Sequence, residues 1–260
     1  MRRKKNNNVT MHCETFENVR ALLETCDDRE ENYFAKSRKH NNDNWAGESY
    51  EQARELLTYG DADLVKSLRP KAPKYAESVR PRTRPAVSGF APIVPRSIIG
   101  IPRDMKRKES IRVNSKVITL VIDIGYACGN SPEQIARRGR ELCEMIQGAE
   151  LAGYRIGLDV FFAIQSEGES EQGYSVRLNI KKPSAPLDIK HVCFPLVHSS
   201  MLRKIFFDWY ERFPKAEYIS CYGTCLYAES KAWQKEVLSQ VLKQNEKYVD
   251  LMKADFSAIL

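Results

Sequence analysis

An acid closes an apolar run in this chain: Val117-Ile118-Thr119-Leu120-Val121-Ile122 leads into Asp123-Ile124-Gly125. Such a run reads as a buried strand, and an acid beyond the carboxyl end of a central strand stands where α/β proteins bind ligands. One carboxylate in that place can hold a cation or move a proton. Gly125, Tyr126, Gly129, Asn130 and Ser131 follow it and, with Tyr222, Gly223 and Thr224 from a later loop, form a candidate crest. Asn130 or Ser131, before Pro132, caps a helix whose unpaired backbone donors favour an anion. A hard cation such as Mg²⁺ needs several oxygen ligands. Asp123 is the single obvious carboxylate of the crest, so an acid that caps its own loop is the simpler reading and no cofactor is expected.

The remaining chemical constellations are weaker. Gly125 to Gly129 matches neither G-x-x-x-x-G-K-[ST] nor G-x-G-x-x-G, which argues against a P-loop or dinucleotide enzyme. His191, Cys193, His198, Cys221 and Cys225 form H-x-C and C-x-x-x-C pieces, a spacing foreign to zinc fingers. No G-x-S-x-G occurs, and Cys128 at a helix start has no His beside it in sequence. Asp159 interrupts an apolar strand, and the expectations for it are to face the edge hairpin or to pair with Arg155 or Arg177.

Charge is the clearer signal. The 260 residues carry a net +7. Between Leu64 and Lys116 there are fourteen bases and three acids, net +11, so the rest of the chain sums to −4. Lys66, Arg69, Lys71, Lys74, Arg80, Arg82 and Arg84 lead that segment and are the candidate nucleic-acid contacts. No run of about 18 apolar residues occurs, so no membrane span is expected. Seven scattered cysteines suit reduced thiols in a cytosol, which is the expected location.

The elements that position these residues follow from spacing. Residues 1–12 read as a basic tail and Thr15 to Thr25 as a helix. Ser49 with Gln52 is a capping box for a helix ending at Gly60, with Trp45 packed back on it. Residues 1–64 thus form a helical N-terminal region. Residues 65–86 read as an extended basic Pro-rich linker, and 87–116 as an arm whose Val87, Phe90, Ile93, Val94, Ile98, Ile99 and Ile101 lie on the core. Residues 117–260 form the core: a strand to Ile124, a helix from Pro132 to Gly153, and strands Tyr154–Gln165 and Tyr174–Lys181 as an antiparallel hairpin. A helix to Phe213, a strand Tyr218–Tyr222 and a long C-terminal helix from Ala228 to Lys253 complete it.

The fold class is therefore α/β: three layers around a mostly parallel sheet of order three-two-one-four, with one antiparallel edge strand. This succession resembles the first half of von Willebrand factor A-like domains, which implies a metal site of the form Asp-x-Ser-x-Ser above strand one. Here the matching run is Asp123-Ile124-Gly125-Tyr126-Ala127, with the acid kept and both serines absent, a degenerate site. The whole chain is also similar to uncharacterised proteins of tailed phages and other mobile elements, which would put it in a host bacterial cytosol. The expected function is a non-enzymatic binding or assembly module for a protein partner, with nucleic acid on the basic segment. The rivals are a metal-dependent hydrolase or nuclease centred on Asp123 and a structural virion component whose arm wraps a neighbour.

Overall fold

The computed structural model describes residues 10–30, 36, 44–69, 82–109, 116–165, 172–213 and 231–259. In chain order these form β1 (Thr10–Phe16), α1 (Val19–Asp28), α2 (Tyr50–Tyr59), α3 (Ala62–Ser67), β2 (Arg82–Ala86), β3 (Ala91–Pro92), α4 (Val94–Ile98) and β4 (Met105–Glu109). Then come β5 (Val117–Asp123), α5 (Pro132–Leu151), β6 (Arg155–Gln165), β7 (Gln172–Lys181) and α6 (Ile189–Val197). A π-helical turn Met201–Phe206 runs into α7 (Phe207–Glu211), and α8 (Lys231–Val241) and β8 (Glu246–Asp250) complete the fold.

The main sheet is ordered β1-β7-β6-β5-β8. β5 pairs in parallel with β6 and β8, β1 pairs in parallel with β7, and β6–β7 is the antiparallel hairpin. The chain is thus an α/β protein with a mostly parallel sheet, and β5 is an inner strand. One face packs on α1, α2, α5, α6 and the Met201–Glu211 segment. The other face, Val121, Phe161 and Ala163, is covered by Trp233, Val237 and Val241 of α8.

Three assignments change. The strand beside β5 is Glu246–Asp250, and Tyr218–Tyr222 lies outside the described residues. The C-terminal helix is not continuous: after Val241 the chain turns at Asn245, whose φ is 73°, and re-enters the sheet. Asparagine tolerates that left-handed backbone, and Tyr248 and Val249 then favour a strand. The hairpin strand is not the edge, because the supposed tail contributes β1 outside it. His12, Glu14 and Phe16 share one face of β1: His12 stacks on Tyr174 at 5.1 Å, Glu14 accepts from Trp209 and Phe16 is buried. The period of two is present, but the exposed His12 and the half-buried Glu14 share that face with Phe16 and hide it.

The arm also departs from expectation. Arg82–Ala86, read as the end of a linker, is a strand of a second, three-stranded antiparallel sheet ordered β2-β4-β3. Its apolar residues do not pack on the core; Val87, Phe90, Val94, Ile98, Ile99 and Ile101 are exposed. No helix among the described residues is long and apolar enough to cross a membrane.

α5 crosses α6 at its closest where Gly139 faces Leu196. A Cβ on Gly139 would stand 2.1 Å from the Leu196 carbonyl oxygen and 2.6 Å from its carbon. Two helix backbones must separate to admit a methyl there. Gly139→Ala is therefore expected to lower unfolding free energy by about 1–3 kcal/mol, despite alanine's better helix propensity. Urea unfolding of the purified variant measures it.

Candidate functional site

Asp123 sits at the end of β5, 5% exposed, with every acceptor engaged by its own fold. Its Oδ1 accepts the Gly125 N–H at 2.7 Å and its Oδ2 the Tyr248 hydroxyl at 2.6 Å. Its backbone carbonyl takes the Leu251 N–H at 3.1 Å. Burial pushes its carboxyl up to about 6; the bonds from Tyr248 and Gly125 resist, and the charge of Asp250 adds to the rise. Asp250 ends β8 directly opposite Asp123 in register. Its Oδ1 is bound by the Met252 and Lys253 N–H groups at 2.9 and 3.1 Å. Among the described residues no group of three or more His, Cys, Asp or Glu side chains could hold a metal ion. Asp123 closes an Asx turn to the residue two ahead, the capping role that short acids take in loops.

The rest of the crest is likewise bound inward. Tyr126 is buried, and its hydroxyl donates to the Ser199 carbonyl at 3.0 Å. The reason is Arg203, which lies buried with its guanidinium 4.1 Å from the Trp45 ring and 5.3 Å from the Tyr126 ring. It donates to the carbonyls of Trp45 and Asn130, the latter at 2.7 Å. Trp45 returns its indole N–H to the Cys128 carbonyl at 2.8 Å. Asn130 bonds to the Ala127 carbonyl at 3.2 Å. Ser131 caps α5 in a capping box with Gln134. The fold thus brings Asp123, Gly125, Tyr126, Asn130 and Ser131 together; Tyr222, Gly223 and Thr224 lie outside the described residues.

Trp45 thus meets this loop through Arg203, and its ring also stacks with Phe207 at 6.4 Å. The sequence held one signal for this: Arg203-Lys204 interrupts an otherwise apolar stretch, and a base there needs carbonyls or ring faces to lie against. Gly47 fits the same junction. With φ at +87°, its Cβ would stand 2.8 Å from the Ser199 hydroxyl, which donates to the Ala46 carbonyl at 2.9 Å.

A second polar cluster was not anticipated. His198, at the end of α6, has Nδ1 2.6 Å from Glu48 and Nε2 2.9 Å from Asp61. Carboxylates only accept, so both ring nitrogens must carry protons and the ring is an imidazolium. Burial opposes that charge, but the bonds and charges of Glu48 and Asp61 prevail and hold the imidazole above its ordinary value. Burial likewise opposes the Glu48 charge, but His198 and the Ser200 hydroxyl bring its carboxyl down to about 2. The fragments of the zinc reading do not meet here. His191 pairs with Asp188 at 2.8 Å, and Cys193 is buried against Cys143, raising that thiol well above its ordinary value. Cys221 and Cys225 lie outside the described residues.

On the opposite face of the sheet, Arg177 is the partner of Asp159, at 2.5 Å, and Asn179 takes its other oxygen at 2.6 Å. Arg177 also grips both oxygens of Glu246, at 2.8 and 2.7 Å, and the Val241 carbonyl at 2.6 Å. It thereby ties β7, β6, β8 and the end of α8 in one network.

The basic residues divide. Lys66 pairs with Asp63, and Arg69 folds back on the carbonyls of Lys66 and Leu68. Lys71, Lys74 and Arg80 lie outside the described residues. Arg82 and Arg84 stand on β2 opposite Glu109 and Arg107 of β4, and Lys106 and Lys108 fill the alternate positions. Lys108 lies 5.8 Å from the exposed Phe90 ring.

A family model matches residues 3–252, nearly the full chain. The chain belongs to the family Domain of unknown function (DUF7192). No curated protein and no solved structure matches it.

For this DUF7192 chain the two titrating sites give opposite pH signatures. The His198 pKa is raised on folding, so its contribution is complete below about pH 6.5 and is lost as pH rises through the folded value. The Glu48 pKa is depressed, so its contribution is complete above about pH 4.5 and is lost as pH falls toward about 2. The cluster is thus strongest between about pH 4.5 and 6.5, and His198→Gln should flatten the loss of urea midpoint above that window. Asp123 runs the other way within it, because a raised carboxyl costs stability as pH climbs from its unfolded value through about 6. Asp123→Asn keeps the acceptor for Gly125 and should remove up to about 3 kcal/mol of that decline, read as the difference between variant and wild-type unfolding curves at pH 4 and 7.

Proposed function

We propose that this protein is a binding and assembly module whose working surface is the exposed unit 82–109, and that the strands of that unit contact nucleic acid. The observation that carries the reading is the concentration of bases on two paired strands, with Arg82 and Arg84 on β2 and Lys106, Arg107 and Lys108 on β4, in a segment where no residue from 83 to 108 is buried. Closely set exposed bases of this kind suit a phosphate backbone. Residues 82–109 hold seven bases and two acids, net +5. Five described cysteines are free thiols, which suits the cytosolic location expected from the sequence. The order β7-β6-β5-β8, with an acid ending β5, supports the von Willebrand factor A-like resemblance, and the inward bonding of Asp123 supports the reading of a degenerate site.

One observation favours the rival hydrolase or nuclease, namely that Asp123 and Asp250 end adjacent parallel strands in register. It asks for catalysis from two acids whose oxygens already hold loop and side-chain donors. Loss of a divalent-dependent activity in a folded Asp123→Asn protein would establish it.

Fluorescence anisotropy with a labelled duplex and a labelled single strand, across a salt series, tests the main proposal. Binding should weaken linearly in log–log form, and Arg84→Ala with Arg107→Ala should lower the slope by about 1 for each base removed. Lys66→Ala, at an exposed residue already paired with Asp63, should change it little. Absence of binding to either probe at low salt contradicts the proposal.

A further inference from the structure

Two cysteines are hidden together where α5 crosses α6. Cys143 stands one turn after Gly139 on α5, and Cys193 one turn before Leu196 on α6. Gly139 meets Leu196 backbone to backbone, so no side chain holds the helices apart there. That approach brings the two cysteines together. Both are fully buried, and Cys143 is hydrogen-bonded to Cys193. Two thiols in contact across a helix pair are one oxidation short of a disulfide, whose sulfurs lie about 2.0 Å apart.

While α6 is closed the pair is inert. The thiolate is the reacting form, and the hydrogen bond from Cys193, with burial, holds the Cys143 thiol well above its ordinary value. The helix itself supplies a way in. Pro195 lies inside α6, two residues after Cys193, and has no N–H to give the His191 carbonyl. A short helix missing that bond opens locally at reduced cost, and opening exposes Cys193 to solvent.

We propose that Cys143 and Cys193 form a peroxide-sensitive dithiol, which oxidation converts to a disulfide that locks α5 to α6. The Cys193 thiolate attacks one oxygen of hydrogen peroxide, the O–O bond breaks, and the departing hydroxide leaves as water with the thiol's proton. Cys193 is then a sulfenic acid. As α6 recloses, the Cys143 sulfur attacks the Cys193 sulfur and the S–O bond breaks. The hydroxyl leaves as a second water with the Cys143 proton. Two thiols have lost two electrons and two protons, and one peroxide has become two waters. A thiol reductant reverses the bond. The lock matters because α6 ends at His198, which holds Glu48 and Asp61 of the N-terminal layer. The inference is independent of the nucleic-acid reading, since it uses no residue of unit 82–109.

Peptide mapping of the full-length protein without reduction tests it. Native protein is treated with hydrogen peroxide, quenched with catalase and alkylated in denaturant. A Cys143–Cys193 peptide should accumulate as both free thiols are lost, and dithiothreitol should restore them. Its rate should rise in urea below the unfolding transition, because the reaction passes through an open α6. The oxidised wild type should unfold at higher urea than the reduced protein, since the cross-link restricts the unfolded chain. Cys193→Ala should show no such shift. Free thiols at both positions after the exposed Cys13 has been oxidised overturn the inference. So does a rate indifferent to urea, oxidation of the two cysteines without a bond between them, or a midpoint that oxidation leaves unmoved.

Discussion

The buried guanidinium of Arg203 is the joint on which the rest of this structure depends. It lies between two aromatic faces and spends its donors on the carbonyls of Trp45 and Asn130, so one side chain closes the turn before α2 onto the loop after β5. An arginine can do this where a lysine cannot, because the planar fork both stacks and donates along two directions. Burial draws its affinity for the proton below the ordinary value, and the ring faces and carbonyls offset part of that cost. That joint holds the loop after β5 against the turn before α2.

The same logic extends along the segment that carries Arg203. Met201 to Arg212 is buried throughout, charged residues included. Several of its polar side chains meet a partner in the N-terminal layer: Trp209 donates to Glu14 at 2.8 Å, Tyr50 donates to Asp208 at 2.8 Å, and Arg212 donates to the Arg29 carbonyl at 2.7 Å. His198 with Glu48 and Asp61 adds a further tie. Buried polar groups paired in this way fix one arrangement of layers, since any slip leaves charges without partners. The core thus has its polar groups committed to architecture. Unit 82–109 is the reverse case, with charge and apolar surface in the open and no core beneath them.

How much of this could be read beforehand depended on whether the signal was local. The strand ending at Asp123, the capping box of Ser49, a helix capped at Asn130 or Ser131, and the β6–β7 hairpin follow from spacing over a few residues, and all are present, with Ser131 as the cap. Asp159 was expected to pair with Arg155 or Arg177, and Arg177 is the partner. β1 and β8 were missed because each shows its period only against distant neighbours. His12 and Glu14 occupy inward positions that hydropathy reads as outward, and a helical pattern through Leu238 seemed to continue into Val249. The burial of Tyr126 had no local signal, because the residue that covers it, Arg203, lies far along the chain. Long-range polar contacts of this sort leave almost no trace in local spacing. The arm was assigned to the core for its apolar content, yet apolar content shows only that a surface must be covered, not by which molecule.

The central claim is that the core is self-sufficient whereas residues 82–109 depend on a partner for their order. Hydrogen–deuterium exchange on the full chain, dilute and free of nucleic acid, measures this directly. The account predicts strong protection in β5 and β6, little protection in β2 and β4, and slowed exchange in β2 and β4 once duplex is added. Protection of β2 and β4 equal to that of β5 in the dilute free chain, unchanged by that addition, would contradict it.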